Sequence, residues 1–267
     1  MSGWPAAGGV ARRALVALAV LALLGGLGAG LAHGERSQQG NLIVALDGGI
    51  SPLKLPREHP APVAVHLAGG LQTADGELLP RVTRIELGLP GQGVLSTKGL
   101  QTCSRQRLRN TTSAEARTAC GGALVGHGRL RADVLLPHQE PFQIRASLLA
   151  FNGRVGGRRA VLLHAFAARP PTVVVLPFIL QRREGRFELN LVADLPPTLG
   201  PWPHFAHFDM TLFRRYRYGG KERSYLSASC PIPPSLTAGF FSLAKASFSL
   251  AGGGHIATSI ARGCRGL

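Results

Sequence analysis

A short segment at residues 203–209 contains the residue types of a metal site. Its candidate ligands are His204, His207 and Asp209, whose imidazole and carboxylate groups suit divalent cations. In a regular strand, however, His204 and His207 point to opposite faces, and only His207 and Asp209 share one. The spacing therefore favours a strand start with solvated polar residues, and we expect no metal and no other cofactor.

A second candidate is His164, which lies in an apolar run and shares one strand face with Leu162 and Phe166. An imidazole in such a pocket would have a shifted pKa and could transfer protons. The alternative is a core or interface histidine whose ring is hydrogen-bonded to the backbone. The surroundings favour this alternative, and His164 is kept as the single pocket candidate.

The most basic surface feature falls at residues 214–223. Gly219 and Gly220 predict a hairpin turn between two short strands. Strand alternation and the turn bring four cations to this tip: Arg215, Arg217, Lys221 and Arg223. Arginine forks suit phosphate and carboxylate groups, so these four are candidate anion-binding residues. Basic tips also occur as solvated ends that discourage edge pairing between sheets.

Motifs of the common hydrolases are absent from the sequence. It contains no Gly-x-Ser-x-Gly elbow, no His-Glu-x-x-His pair and no glycine-rich phosphate loop. Two acids from distant loops could still form a glycosidase pair. The acids beside turns or strand ends are Asp47, Asp75, Asp194 and Asp209. None of them stands out, so no catalytic residue is predicted.

The elements that must position these residues are mainly strands. Most of the chain consists of short apolar segments separated by Gly and Pro, which is typical of a sandwich or barrel. Ile85 and Leu87, for example, alternate with Arg84 and Glu86, which places one strand face on a core and the other in water. We therefore predict an all-β protein, either an antiparallel β-sandwich or an open barrel.

Two local signals refine this prediction. Thr112 and Glu115 have the spacing of a capping box, which predicts one short helix near residues 112–120. Pro177 interrupts an apolar run and lacks a backbone donor, so its strand should lie at a sheet edge or contain a bulge.

The amino-terminal residues predict export. Arg12 and Arg13 precede an uncharged apolar run at residues 14–31, which ends in small residues. We interpret residues 1–34 as a signal peptide, with a retained anchor as the alternative. Residues 35–267 are then a single β-rich domain, with a possible division between two sub-sheets near residues 195–203.

The cysteines agree with an oxidising location. All four, Cys103, Cys120, Cys230 and Cys264, follow the export segment, and an even number predicts disulfides. Three pairings are possible, and we favour the sequence-local one, which joins Cys103 to Cys120 and Cys230 to Cys264. A zinc site is the alternative, but the Cys-x-x-Cys and Cys-x-x-His spacings do not occur.

The apolar content and the net charge of the chain indicate which kinds of partner to expect. The 267 residues are 45% apolar, enough for a packed core, and the formal net charge of +16 favours anionic partners. For an exported chain we expect an anionic envelope polymer or lipid headgroups, with no specific nucleic acid and no transmembrane segment after signal cleavage.

Several segments are similar to those of a known group of proteins. The chain resembles uncharacterised secreted actinobacterial β-rich proteins, which have signal peptides and no known activity. The resemblance covers nearly the whole mature chain and implies placement and general form, with no residue roles. It is carried by residues 47–52 (DGGISP), 97–103 (TKGLQTC), 120–126, 149–153 (LAFNG) and 224–231 (SYLSASCP).

The sequence therefore favours one function and leaves two alternatives. We expect a secreted or envelope-associated protein that binds an anionic partner without catalysis. The first alternative is an extracellular hydrolase with acids from separate loops. The second is carriage of an apolar ligand in a barrel, which requires a large apolar cavity.

Overall fold

The computed structural model describes residues 35–134, 138, 140–196 and 203–267, with side chains described from residue 206 onward in the last range. The predicted signal peptide, residues 1–34, lies outside the described residues, as does most of the Pro-rich stretch near residues 195–203. Residues 34–267 group into one compact unit. Neither of the α-helices in the described part of the chain is long and apolar enough to cross a membrane.

Strands make up most of this unit. In chain order they are β1 (Glu35–Gln39), β2 (Leu42–Ser51), β3 (Lys54–Leu55), β4 (Ala61–Pro62), β5 (Ala64–Thr73), β6 (Val82–Leu89), β7 (Gly93–Leu95), β8 (Leu124–Val134), β9 (Phe142–Val155), β10 (Arg158–Ala168), β11 (Pro171–Arg182), β12 (Leu189–Asp194), β13 (Pro203–Leu212), β14 (Arg215–Tyr218), β15 (Lys221–Ser224), β16 (Leu226–Ala228), β17 (Ala238–Leu250) and β18 (His255–Gly266).

Thirteen of these strands form one large curled sheet. Its order is β1-β2-β5-β13-β8-β9-β10-β11-β12-β6-β17-β18-β3. Neighbours are antiparallel except for β3 and β18, which run parallel. The structure confirms the all-β class. Its main sheet is continuous and curled, so it corresponds to the open-barrel alternative more closely than to two stacked sheets.

The two ends of the curled sheet meet through side chains. Arg262 on β18 donates from Nε to the Gly48 carbonyl of β2 (2.6 Å) and pairs through Nη2 with the Asp47 carboxylate. Ser37 Oγ on β1 donates to Thr258 Oγ1 on β18 (3.0 Å). The sheet is thus closed on itself by polar contacts, which we call the seam.

The outer face of the central strands is covered by apolar packing. On the outer face of β9, β10 and β11 lie two helices, α1 (Arg105–Leu108) and α2 (Ser113–Cys120), followed by a 3-10 turn (Gly121–Ala123). Leu108 and Ala116 from these helices are buried in a cluster with Phe151 and Leu162. The Cys103–Cys120 disulfide fixes the pair of helices to the sheet.

A smaller sheet packs at the other end of the strands. Its order is β4-β16-β7. It contributes Leu226 and Ala228 to the main core, beside the fully buried ring of Tyr225. The second disulfide, Cys230–Cys264, joins this region to β18. Both bridges form the predicted sequence-local pairing, so the disulfide prediction is confirmed.

The helices agree only in part with the sequence prediction. The helix at residues 112–120 is confirmed with its full capping box, since Thr112 accepts from the Glu115 backbone and Glu115 accepts from the Thr112 backbone. The four-residue helix α1, capped by Ser104, was not predicted.

The prediction for Pro177 was wrong: β11 has neighbours on both sides, and its pairing with β10 shows no register shift, so the proline lies neither on an edge strand nor in a bulge. The ladder of β11 with β12, however, begins only at Ile179. Pro177 therefore lies in the stretch of β11 that is paired only with β10, where its partner across the ladder is Leu162.

Candidate apolar binding cavity

The concave side of the curled sheet encloses an apolar cavity of about 200 Å³. Nine strands, or the residue directly after one of them, supply its lining. The lining residues are Val65, Leu67, Ile85, Leu87, Leu130, Ala132, Ile144, Ala146, Leu148, Ala150, Val161, Leu163, Ala165, Ala167, Thr172, Val174, Leu176, Phe178, Leu191, Leu195, Phe208, Met210, Leu212 and Phe248. Thr172 is the only residue among them with a polar side chain.

The strand register explains why side chains do not fill this space. Inward-facing positions on β9 and β10 alternate large and small side chains across the ladder: Ala165 lies opposite Leu148, and Leu163 lies opposite Ala150. Further along, Ala146 and Ala167 face each other, so two small side chains meet at one level. Short side chains on a concave sheet face leave a gap that the facing wall does not fill.

The exposure of the lining residues varies along the strands. The lining is buried at Ala150, Val161 and Phe178, whereas Ile144 is partly exposed and Thr172 is exposed. Ile144 and Thr172 lie toward the turn between β10 and β11. Six residues of β9 separate Ile144 from Ala150, which corresponds to about 20 Å along the strand. The lining therefore extends about 20 Å along this strand and includes the exposed Thr172 near the turn between β10 and β11.

The chemistry of the lining selects one class of ligand. None of the described residues that line the cavity is ionisable, so charged substrates find no partner there. Side chains that line an unfilled apolar space lose packing contacts on that side. A hydrocarbon ligand would restore packing contacts for the lining side chains. Apolar cavities of about 150 Å³ stay dry and accept apolar molecules.

His164, the pocket candidate from the sequence, lies on the opposite face of β10. Its neighbours Leu163 and Ala165 point into the cavity, and its own ring is fully buried beneath the helices. Nε2 lies 2.9 Å from the Thr111 carbonyl and 3.1 Å from Thr111 Oγ1. Burial lowers the pKa of His164, so the neutral ring donates from Nε2 to the Thr111 carbonyl.

The predicted basic hairpin is confirmed as a structural element. β14 pairs with β15, and Gly219 and Gly220 have φ angles of 59° and 74°, both in the left-handed region that a two-residue turn requires. The tip cations Arg215, Arg217, Lys221 and Arg223 are exposed. Tyr216 anchors the hairpin by donating to the Lys98 carbonyl (3.0 Å). The four candidate anion-binding residues thus share one exposed hairpin but not one face: Arg215 and Arg217 lie on the face of Glu222, and Lys221 and Arg223 lie on the opposite face with the two tyrosines.

His207 and Asp209 lie on the exposed outer face of β13, while the side chain of His204 lies outside the described residues. Asp209 approaches His66 of β5 at 3.4 Å, a neighbour that sequence spacing did not indicate. Burial, followed by the charge of Arg131, lowers the pKa of His207. In the described part of the chain, no three His, Cys, Asp or Glu side chains are grouped in a way that could hold a metal ion.

Sequence reasoning named the possibility of an apolar cavity but none of its residues. The available signal was the alternation of alanine with larger apolar residues in two successive strands, at Ala146, Ala150, Ala165 and Ala167. Alanines spaced by two on a concave face indicate free space only when the curvature of the sheet is known.

Comparison with known proteins gives no further assignment. The chain matches no protein-family model, and no match was found among curated proteins or solved structures. The resemblance to secreted actinobacterial proteins therefore stays a prediction, and the function has to be argued from the geometry.

Proposed function

We propose that the protein binds an apolar ligand, of the size of a lipid acyl chain, inside its curled sheet. The observation that carries this proposal is the cavity of about 200 Å³, in whose lining Thr172 is the single polar side chain among the described residues. A lining that extends about 20 Å along β9 suits a hydrocarbon chain, with any polar headgroup placed near the exposed Thr172. Export to an oxidising compartment belongs to the same proposal, and the two disulfides support it.

The ligand class can be tested with cis-parinaric acid, a fatty acid that fluoresces when it enters an apolar site. We expect the wild-type protein to bind it saturably and to release it on addition of unlabelled palmitate. Ala165→Phe places a ring in the middle of the cavity and should weaken binding roughly tenfold or more, the equivalent of about 1.4 kcal/mol. Native mass spectrometry of the protein from its own host would identify the resident lipid.

Ala168→Phe is the matched control for this experiment. Ala168 lies on the same strand and is exposed, and it shares the face of His164 that points away from the cavity. The Ala168→Phe variant should bind cis-parinaric acid as the wild type does. Circular dichroism should show that Ala165→Phe and Ala168→Phe are both folded. No saturable binding to wild-type protein, or equal binding by the two variants, would reject the proposal.

A second function is supported by the basic hairpin, and we infer that it contacts an anionic envelope polymer or lipid headgroups. The supporting observation is that Arg215, Arg217, Lys221 and Arg223 are exposed and take part in none of the ion pairs among the described residues. Retention on an anionic polymer that is lost when all four are changed to Gln would support this role. Equal retention of the variant at low salt would reject it.

A further inference from the structure

The most exposed apolar side chains of the described residues lie at one end of the molecule. Four large hydrophobic side chains are at least half exposed: Leu53 (53%), Leu236 (50%), Phe240 (88%) and Leu267 (69%). A phenyl ring exposed to this extent is costly in water and suggests that another phase or molecule covers it.

Strand pairing and backbone hydrogen bonds bring the backbones that carry these four side chains close together. Arg265, two residues before Leu267, donates from its backbone N to the Leu53 carbonyl (2.9 Å). Gly266, the residue before Leu267, donates to Thr237, which follows Leu236 (3.1 Å). Phe240 pairs across the ladder with Gly263, which has no side chain to cover the ring. We call Leu53, Leu236, Phe240 and Leu267 the Phe240 patch.

The Phe240 patch is held on rigid supports. The Cys230–Cys264 disulfide lies next to it, since Cys264 pairs with Gly239 on β17. Arg57 donates to three backbone carbonyls of the loop that carries Leu236, namely those of Ile232 (3.1 Å), Pro233 (2.8 Å) and Leu236 (3.1 Å). The exposure of the patch is therefore a fixed feature of the fold, imposed by covalent and hydrogen-bonded contacts.

Cations flank the patch. Lys54 and Arg265 face each other across the parallel pair of β3 and β18, and Arg265 also faces Ala238, two residues from Phe240. Both side chains are exposed, and neither takes part in the ion pairs among the described residues. Glu58 is the acid nearest to them in sequence, and the whole chain carries a formal charge of +16.

The combination of apolar and cationic groups indicates whether a second copy of the protein or a membrane would cover the Phe240 patch. A second copy docked symmetrically on the patch would bring Lys54 and Arg265 of both copies together, which like-charge repulsion opposes. A bilayer with anionic headgroups offers hydrocarbon for Phe240 and negative charge for the two cations at the same depth.

We propose that the Phe240 patch inserts into the interface of a membrane that contains anionic phospholipid. Phe240 and the leucines enter the acyl boundary, and Lys54 and Arg265 contact phosphate groups. This surface is distinct from the cavity and does not require a ligand there. If the cavity carries a lipid, the patch places the protein at the source of its cargo.

Co-sedimentation with vesicles tests the proposal. The wild-type protein should bind vesicles of phosphatidylcholine and phosphatidylglycerol, and bind pure phosphatidylcholine more weakly. Phe240→Ser should lower partitioning roughly tenfold through loss of buried apolar area. The double variant Lys54→Gln, Arg265→Gln should show a smaller preference for the anionic vesicles and a weaker salt dependence than the wild type. Phe213→Ser, at a phenylalanine that is 45% exposed after β13, should bind as the wild type does.

Three outcomes would overturn the proposal. The wild type could fail to bind anionic vesicles at low salt, or Phe240→Ser could bind as well as the wild type. Alternatively, sedimentation equilibrium could show a wild-type dimer that Phe240→Ser converts to a monomer, which would assign the patch to self-association. Binding of cis-parinaric acid by Phe240→Ser separates the two proposals, because the cavity is intact in this variant whether or not vesicles are bound.

Discussion

At the scale of single residues, His164 shows how burial can give a histidine a structural role. Its Nε2–H is satisfied by Thr111, which in turn donates from Oγ1 to the Leu108 carbonyl (2.8 Å) and so ties helix α1 to β10. Nδ1 is buried and has no hydrogen-bond partner among the described residues. The site therefore accommodates a neutral ring and opposes a charged one.

This environment predicts a dependence of stability on pH. The pKa of His164 is lower in the folded protein than in the unfolded chain, so the unfolded chain binds more protons near and below the ordinary histidine pKa of about 6.5. Stability contributed by the neutral ring is fully present above this pH and is lost as the pH falls. Urea unfolding at pH 7.5 and pH 5.5 should show a smaller loss of stability for His164→Gln than for the wild type.

The control for this prediction is His59→Gln, since His59 is exposed and lies in a turn. It should lose as much stability on acidification as the wild type does. An identical loss in His164→Gln and the wild type would mean that the buried ring is not the group that titrates.

At the scale of elements, the outer surface of β8 and β9 carries an unfavourable pair. Arg131 and Arg145 face each other directly across the ladder, and both are exposed. Like charges at directly opposed positions destabilise a sheet. Arg145→Glu should convert repulsion into attraction and raise the free energy of unfolding by about 0.2–1 kcal/mol. Urea denaturation at low salt measures this gain, which should shrink as salt is added.

Arg36→Glu controls for the change in net charge. Arg36 is also exposed on a strand, but its partner across the ladder is Ala45, so no opposed charge is relieved. The gain at position 145 should exceed the gain at position 36. Equal gains at the two positions would assign the effect to the overall charge of +16 and not to the local pair.

The elements were predictable where the information is local. Alternation of Ile85 and Leu87 with Arg84 and Glu86 correctly placed β6, and the structure shows the outward pair bonded, from Arg84 Nε to Glu86 Oε1 at 2.8 Å. The capping box at Thr112 was also sufficient to predict helix α2, and the double glycine at Gly219 was sufficient to predict the β14–β15 hairpin. Helix α1 was missed because four residues give too little periodicity to identify a helix.

At the scale of the whole molecule, the sequence did not decide between two stacked sheets and one curled sheet. The deciding contacts join distant segments: β5 pairs with β13, and β6 pairs with β17. Local alternation is the same in both architectures, because each has one buried face and one exposed face. The cavity depends on this curvature, so its lining could not be assigned before the order of strands was known.

The seam is the feature that closes the curled sheet, and it predicts a cost for opening it. Arg262 is largely buried and joins β18 to β2 through both the Gly48 carbonyl and the Asp47 carboxylate. Arg262→Met keeps the apolar stem and removes these charge-assisted bonds, so the free energy of unfolding should fall by about 1–3 kcal/mol. Hydrogen exchange at the backbone amides of β2 and β18 should accelerate, because the seam opens more often. Arg265→Met, at an exposed position on the same strand, should change neither quantity by much. If both variants lose equal stability, the bonds of Arg262 to Gly48 and Asp47 contribute nothing to closure of the sheet.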